Sequence, residues 1–261
     1  MRNWRIYKQF FLSSFQRELE FRTNFFAKII QNIVWMMFFI LILKVIYRNT
    51  DRVANWSEGN SYVLVATVFL MAAFVAAIFS SNLQELPEKV RKGTLDFDIV
   101  KPVDSQLLVS IRKFNFDEIG TFLVGIAMVF VGLRMSSHVP SFTEVLVYVL
   151  FVACAIATFY SFELMLMTLG IWLVRVDNLW VLGETVFTVA RFPTDIYTAP
   201  VRKFLTYGLP LALIATEPAR ALLGGRPPGF VIYAVAWALG FLLISRLFWR
   251  FALRHYTSAS S

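Results

Sequence analysis

Residues 62–79, with the sequence YVLVATVFLMAAFVAAIF, decide the fold class of this chain. The stretch holds no charged residue, and a helix built from it is apolar on every side. A helix needs about 20 mostly apolar residues to cross the roughly 30 Å of hydrocarbon in a bilayer. A strand of a membrane barrel is only about ten residues long and alternates in polarity. The stretch therefore predicts a transmembrane helix, and similar stretches begin near residues 25, 119, 143 and 230.

The composition of the whole chain agrees with a membrane location. Of its 261 residues, 58% are hydrophobic and 16% are charged, and the mean hydropathy is +0.64. A typical soluble domain is about 45–50% apolar and about 25% charged, so an ordinary soluble protein is excluded. The formal net charge of +8 fits the excess of Lys and Arg in the cytosolic loops of membrane proteins. We therefore expect membrane lipid, and no nucleic acid, as a partner.

The apolar stretches predict an all-α integral membrane protein with about six transmembrane helices. The expected spans are residues 25–46, 61–81, 118–133 and 143–174, a short fifth span that begins near 178 and ends near 190, and residues 230–249. Together they make a single transmembrane domain over residues 25–249, which a cytosolic tail over 250–261 follows. Within the second span, Ala73, Ala77 and Ser81 recur every four residues, and such small side chains favour close helix packing.

Residues 1–24 predict an amphipathic helix that lies on the membrane surface. Apolar side chains recur at helical spacing with basic residues between them; they are Trp4, Tyr7, Phe11, Phe15 and Leu19. With both termini in the cytosol, the cytosolic segments hold more Lys and Arg than the outer ones. The positive-inside rule therefore favours cytosolic termini.

Residues 191–228 predict a broken or re-entrant segment between the fifth and sixth spans. Pro193, Pro210 and Pro218 interrupt apolar pieces that are too short for a full crossing. Irregular backbone at membrane depth has to be sheltered within protein. Two full crossings within residues 178–217, which would give seven spans, remain an alternative.

The loop over residues 82–117 is predicted to be folded rather than a flexible tether. Pro87 suits the first turn of a short helix that runs to about Lys92, and Gly93 suits a left-handed position at its end. Over residues 95–99, apolar side chains alternate with two aspartates, which predicts a short extended segment. An amphipathic stretch over 106–116 then leads into the third span.

Candidate residues for a path through the membrane are few. Glu163 lies well inside the fourth span near Ser161, and Glu184 lies in the following apolar piece. Ionised groups at membrane depth are costly unless they are paired or hydrated, so they are functional candidates by default. Alternatively, the long fourth span bends or projects, and Glu163 then meets water or a positive neighbour such as Arg175.

The chain shows no sign of an enzyme. Cys154 is the only cysteine, and His138 and His255 are the only histidines, so a cysteine-based or histidine-rich metal or acid–base site is excluded. We expect no catalytic residue, metal site or cofactor in the chain itself. An ion-coupled secondary transporter, for which broken helices are also typical, and a non-transporting membrane scaffold stay open as functions.

Two groups of motifs resemble a known family. One is RKGTLD at residues 91–96 followed by KPVD at 101–104, and the other is RFP at 191–193, then two prolines, then ALLG at 221–224. With the basic first helix, the six spans and the broken segment, they resemble the membrane subunit of ATP-binding-cassette transporters of the type-2 exporter group. The loop motifs are similar to those of a bacterial branch with a K-G-x-L-D and K-P pattern. The resemblance covers nearly the whole chain.

The resemblance implies a function and a set of partners. In such proteins the loop after the second span forms a coupling helix that docks onto an ATPase subunit, which here implies contacts by Glu85, Glu88, Lys89, Arg91, Lys92, Gly93 and Thr94. The chain lacks the GxxxxGK[ST] phosphate-binding motif, so ATP and Mg would be bound by a separate ATPase chain. The family pattern implies two ATPase copies, a second permease that is identical or paralogous, export, and the bacterial inner membrane.

Overall fold

The computed structural model of this chain describes residues 2–20, 22–173, 179–225 and 229–257. In these ranges the regular structure is helical, apart from an isolated antiparallel bridge between Val53 and Trp56. The prediction of an all-α membrane protein is confirmed. Three predicted features lie outside the described ranges: the end of the fourth span with Arg175, residues 226–228 of the broken segment, and residues 258–261 of the tail.

Thirteen α-helices are found within the described ranges. In chain order they are α1 (Arg2–Glu20), α2 (Arg22–Asn49), α3 (Glu58–Val75), α4 (Ser81–Gln84), α5 (Leu86–Arg91), α6 (Asp96–Ile99), α7 (Ser105–Ser110), α8 (Ile119–Met135), α9 (Phe142–Thr168), α10 (Leu179–Ala190), α11 (Ala199–Lys203), α12 (Thr216–Leu222) and α13 (Gly229–Arg254). A π-helical turn, Ala76–Ser80, joins α3 to α4. We call the end of the bundle that carries residues 82–117 the loop end, and the opposite end the far end.

Five of the described helical stretches are long and apolar enough to cross a membrane. They are Phe25–Asn49, Glu58–Arg91, Phe116–Met135, Phe142–Ile171 and Gly229–Arg254. The helix at the fifth predicted span, α10, has 12 residues, which is about 18 Å at 1.5 Å per residue and too short to cross alone. Between α10 and α13 the backbone alternates short helices with turns, in agreement with the predicted broken segment.

Helix α3 is the central helix of the bundle, and most of its residues are buried. Its closest neighbour is α8, because glycines lie at the contact. A Cβ added at Gly132 would lie 2.8 Å from the carbonyl oxygen of Gly59 and 2.9 Å from the amide nitrogen of Val63. The two backbones therefore touch at the far end. On the other side of the bundle α9 packs against α13 and α12.

The predicted extended segment at residues 95–99 is wrong, because residues Asp96–Ile99 form the helix α6. Leu95 and Asp98 are both buried, whereas Phe97 is exposed. Residues three apart share a side of a helix but lie on opposite faces of a strand. One helical turn therefore buries Leu95 and Asp98 together, which a strand cannot do.

Helix α1 uses part of its aromatic stripe to contact the rest of the protein. The ring of Phe11 lies 5.4 Å from that of Phe114 and 5.0 Å from that of Phe116, and the ring of Phe15 lies 5.4 Å from that of Phe116. The hydroxyl of Ser14 accepts a hydrogen bond from the amide of Phe114 at 3.1 Å. The first helix is thus docked on the segment that enters the third span.

Candidate functional site

The second span extends beyond the membrane into the loop. Glu58–Arg91 is one stretch of 34 residues, about 50 Å at 1.5 Å per residue, against roughly 30 Å of hydrocarbon. Its last part is α5, which has Pro87 in the first turn and is followed by Gly93, with a left-handed φ of 67°. Both residues hold the positions that the sequence predicts. Helix α5 is therefore continuous with the second span.

The seven loop residues predicted to contact an ATPase point in two directions. Four of them are exposed on the outer side, namely Glu88, Arg91, Lys92 and Thr94, whereas Glu85, Lys89 and Gly93 are at least partly buried. On the outer side the carboxylate of Glu88 lies 2.6 Å from Nζ of Lys92. On the inner side Glu85 pairs with Lys113. Only 14% of the Lys89 side chain is exposed, so this lysine serves the loop itself.

Asp98 is the buried anion that holds the loop together. Its carboxylate lies 3.0 Å from Nζ of Lys89, 2.8 Å from Nζ of Lys101 and 3.6 Å from the guanidinium of Arg112. Burial alone would raise the pKa of Asp98, but the hydrogen bonds from Lys101 and Lys89 outweigh it and hold the pKa below its ordinary value. One carboxylate thus joins α5, α6 and the segment after α7.

Two exposed apolar side chains project from the same part of the loop, and sequence reasoning missed them. Phe97 is 69% exposed and Val100 is 78% exposed. They lie three residues apart on the outer side of α6. The sequence does carry a signal for them. In a helix, residues 95, 98 and 99 share one side while residues 97 and 100 share the other, but the alternating pattern led to a strand prediction instead. The outer surface of the loop therefore combines charged groups with two apolar side chains. We give the name docking surface to its exposed residues Glu88, Arg91, Lys92, Thr94, Phe97 and Val100.

An apolar cluster fixes the inner side of the loop to the ends of two spans. Leu83, Leu86 and Leu95 are fully buried against side chains of α9 and α13, which include Leu164, Met167 and Trp249. At the end of α9 a Cβ added to Gly170 would lie 2.9 Å from Cβ of Pro87. The loop is thus packed on the fourth and sixth spans as tightly as a protein core.

A polar network makes the same connection. The guanidinium of Arg246 on α13 forms two hydrogen bonds with Asp104, and its NH1 also donates to Gln106 Oε1 at 3.0 Å. The amide of Gln106 donates to the hydroxyl of Tyr160 on α9 at 3.2 Å, and the indole of Trp249 donates to Ser105 at 3.1 Å. Hydrogen bonding by Arg246 holds the pKa of Asp104 below its ordinary value.

Removal of the Arg246–Asp104 pair tests whether the loop and α13 are energetically coupled. We expect the double variant Arg246→Gln, Asp104→Asn to lose less free energy of unfolding than the two single variants lose in sum. The difference, which is the coupling energy of this partly exposed pair, should be about 1 kcal/mol. Urea unfolding of the purified protein in mild detergent measures each variant. Additivity within about 0.3–0.5 kcal/mol would show that the pair does not connect the two elements.

Two asparagines tie the ends of the loop to the π-helical turn of the second span. The side-chain amide of Asn115 donates to the carbonyl oxygen of Ala76 at 3.1 Å. The backbone amide of Asn115 donates to the carbonyl oxygen of Ala77 at 2.9 Å. Asn82 donates to Ile78 and to Lys113, and accepts from the amide of Lys113 at 2.9 Å. A π turn disturbs the regular helical pattern of hydrogen bonds, and these side chains satisfy the groups around it.

The predicted path residues do not come together as a single polar lining. Ser80, in the π turn, donates to the carboxylate of buried Glu163 at 3.0 Å. Ser161 is fully buried and its hydroxyl donates to the carbonyl oxygen of Ala157. Glu184 is exposed on α10. Within the described ranges no group of three or more His, Cys, Asp or Glu residues could hold a metal ion.

The small residues predicted for helix packing do not lie where the backbones of α3 and α8 touch. Ala73 and Ala77 line an open apolar groove between the second and third spans, and Ser81 accepts a hydrogen bond from Asn115 at 2.5 Å. The closest backbone approach is instead made by Gly59 and Gly132 at the far end. The second span is apolar all round, so its sequence does not reveal which small residues meet a partner helix.

A second charged cluster joins the broken segment to the far end. Asp195 pairs with Arg220 and accepts from the indole of Trp56 at 2.9 Å. Burial would raise the pKa of Asp195, but the hydrogen bonds from Trp56 and Arg220 outweigh it and lower the pKa. These three residues line a polar cavity of about 280 Å³. The cluster fixes the broken segment against the connection between the first two spans.

Comparison with known proteins agrees with this arrangement. The sequence model of the ABC-2 family transporter proteins matches residues 33–260, which is most of the chain and begins within the first span. No curated protein and no solved structure matches the chain. The family assignment therefore rests on the family model together with the helical membrane fold, and by that match the chain belongs to the ABC-2 family of transporter proteins.

Proposed function

We propose that this transport permease is the transmembrane subunit of an ATP-driven exporter and that a separate ATPase subunit binds its docking surface. The observation that carries the proposal is the two-sided construction of the loop. Its outer side exposes Phe97 and Val100 beside Glu88, Arg91 and Lys92. Its inner side continues the second span and is packed on the fourth and sixth spans. Interfaces commonly have apolar anchors surrounded by a charged rim.

The inner contacts support a rigid transmission of movement. Helix α5 continues the second span, Leu95 and Pro87 contact the end of the fourth span, and Arg246 ties the loop to α13. A displacement of the docking surface would therefore move the second, fourth and sixth spans together. Packed elements of this kind shift as rigid bodies rather than deform continuously. In this proposal closure of the ATPase pair supplies the displacement.

The remaining parts of the proposal follow from the family and from charge. One chain supplies half of a translocation path, and a second permease, identical or paralogous, supplies the other half beside two ATPase subunits. ATP and Mg bind to the ATPase chains, and the permease is no enzyme by itself. The loop end faces the cytosol with both termini, as the distribution of Lys and Arg favours. The membrane is the bacterial inner membrane.

Charging the apolar anchor tests the docking surface. We expect Phe97→Glu to weaken the copurification of the ATPase subunit by about 30-fold or more, since loss of an interface hot spot costs about 2 kcal/mol. ATP hydrolysis by the complex should fall in parallel. The folding of the permease should not change, because the Phe97 side chain is mostly exposed. Pull-down titration and a phosphate-release assay provide the two measurements.

A matched control separates docking from a general effect of added charge. Val139 is 90% exposed at the far end, so Val139→Glu should leave both measurements unchanged. Reversing the charges of the rim with Glu88→Arg and Arg91→Glu should change the salt dependence and association rate more than the final affinity. Normal assembly and hydrolysis with Phe97→Glu, or an equal loss with Val139→Glu, would refute the docking assignment.

One observation favours a second candidate function, an ion-coupled secondary transporter. Glu163 is a buried carboxyl group within the fourth predicted span that accepts a hydrogen bond from Ser80, and such groups are typical of proton and ion relays. Proteoliposomes that contain only the permease distinguish the two functions. Cargo movement driven by a proton gradient, without any ATPase, would support the secondary transporter and exclude the exporter.

A further inference from the structure

An open apolar groove lies between the second and third spans at the loop end. Its volume is about 330 Å³, and its walls include Ala73, Phe74 and Ala77 on one side and Phe122 and Leu123 on the other. The only polar residues among its lining are Asn115 and Glu118. Both hydrogens of the Asn115 amide have partners, Ala76 and Ser81. The groove therefore offers almost purely apolar surface.

The groove lies at the loop end of the contact between α3 and α8. Their backbones touch at Gly59 and Gly132 at the far end, whereas at the loop end the side chains of Phe74, Phe122 and Leu123 are exposed. All of these residues belong to helical stretches that are long and apolar enough to cross a membrane. An opening of this kind faces hydrocarbon, and the bilayer supplies apolar chains that can fill it.

The dimensions suit one hydrocarbon chain. The wall formed by residues 116–123 is about 10 Å long at 1.5 Å per residue, and the volume of the groove is about 330 Å³. A space of that length takes a segment of one hydrocarbon chain. Helix α1 closes the groove towards the membrane surface, because Phe11 lies in its lining. A headgroup would therefore emerge beside α1.

Helix α1 places positive charge where that headgroup would lie. Lys8 lies one helical turn from Phe11, and Arg5 lies one turn beyond Lys8; both side chains are exposed. Of the acidic groups near this region, Asp117 pairs with Lys28 at 3.0 Å, and Glu18 lies 3.7 Å from the guanidinium of Arg17. Glu118 lies in the lining of the groove, at the start of the third span. Lys and Arg near a membrane surface attract anionic lipids. We infer that the groove holds one acyl chain of an anionic glycerophospholipid from the leaflet at the loop end.

Filling the groove tests the inference. The full chain is purified in detergent, stripped of lipid, and titrated with phosphatidylglycerol or phosphatidylcholine, and bound lipid is measured by native mass spectrometry. We expect wild-type protein to retain a single phosphatidylglycerol in preference to phosphatidylcholine. Ala77→Phe places a ring in the groove and should weaken retention at least about tenfold, because the acyl chain loses its apolar contacts. Ala236→Phe, at an exposed position of α13, should retain lipid as the wild type does.

Two further variants test the walls and the charge separately. Leu123→Gln makes an exposed wall residue polar without filling the groove, and should also weaken retention. Arg5→Glu together with Lys8→Glu should keep acyl binding but abolish the preference for phosphatidylglycerol. Unchanged retention in both Ala77→Phe and Leu123→Gln would overturn the groove assignment. Equal retention of both lipids by the wild type would overturn the assignment of an anionic headgroup.

Discussion

Asp98→Ala is expected to lower the free energy of unfolding by about 3 kcal/mol, because it leaves Lys89 largely buried without its anion. Removal of one partner from a buried ion pair costs about 3–5 kcal/mol. The lower end applies because Lys101 and Arg112, the other two partners, are partly exposed. The melting temperature in detergent should fall by roughly 6–12 °C, and ATPase docking should fall with it because α6 loses its anchor.

Lys101→Ala is the comparison variant for Asp98. It removes an exposed partner of the same carboxylate and should lower the free energy of unfolding by less than about 1 kcal/mol.

The isosteric Asp98→Asn adds a pH test. Since the folded pKa of Asp98 is lowered, the carboxylate stabilises the loop at pH values above its unfolded pKa of about 3.9. That contribution should disappear as pH falls through the lower folded pKa. Equal melting temperatures for Asp98→Ala and wild type would contradict this role.

Gly132→Ala is expected to push the second and third spans apart at the far end. The new Cβ would meet backbone atoms of Gly59 and Val63 at less than 3 Å, and backbone cannot rotate away as a side chain can. Overpacking of this kind costs about 1–3 kcal/mol, and the better helix propensity of alanine offsets only about 1 kcal/mol. Thermal unfolding in detergent should therefore occur at a lower temperature than for wild type.

Gly240→Ala is the matched control for Gly132. It is the same change within a membrane helix, but no atom lies within 4 Å of the added Cβ. We expect an unchanged or slightly raised melting temperature, because only the helix-propensity gain of up to about 1 kcal/mol remains. If Gly132→Ala proves as stable as Gly240→Ala, then the close approach of the two backbones is not a feature of the folded protein.

The loop shows where reasoning from local sequence succeeds and where it fails. Pro87 and Gly93 hold their predicted positions because a proline in the first turn and a left-handed glycine act through their own backbone angles. The prediction for residues 95–99 failed because five residues fit an alternating and a helical pattern almost equally. What favours the helix is the burial of Asp98 among three cations, two of them from other segments.

The seven predicted contact residues show the same limit. Their charges mark the loop as functional, and four of them are exposed on its outer surface. Lys89 turns inward because Asp98 offers it a buried partner, and no local pattern shows that pairing. The apolar anchors, Phe97 and Val100, were overlooked because their exposure depends on the helix α6 and on the packing of Leu95 beneath it.

The sequence by itself determined that the chain lies in the membrane, where its long helices run, and where they are broken. These properties depend on residues that are close in sequence. A run of about 20 apolar residues is stable in lipid whatever its partners are, and each proline restricts its own backbone. Only the tertiary structure decided which face of each helix meets a partner. The Gly59–Gly132 contact, the Asp104–Arg246 pair and the apolar groove each join residues that lie far apart in sequence. In a helix that is apolar all round, the pattern of residues does not select the face that packs.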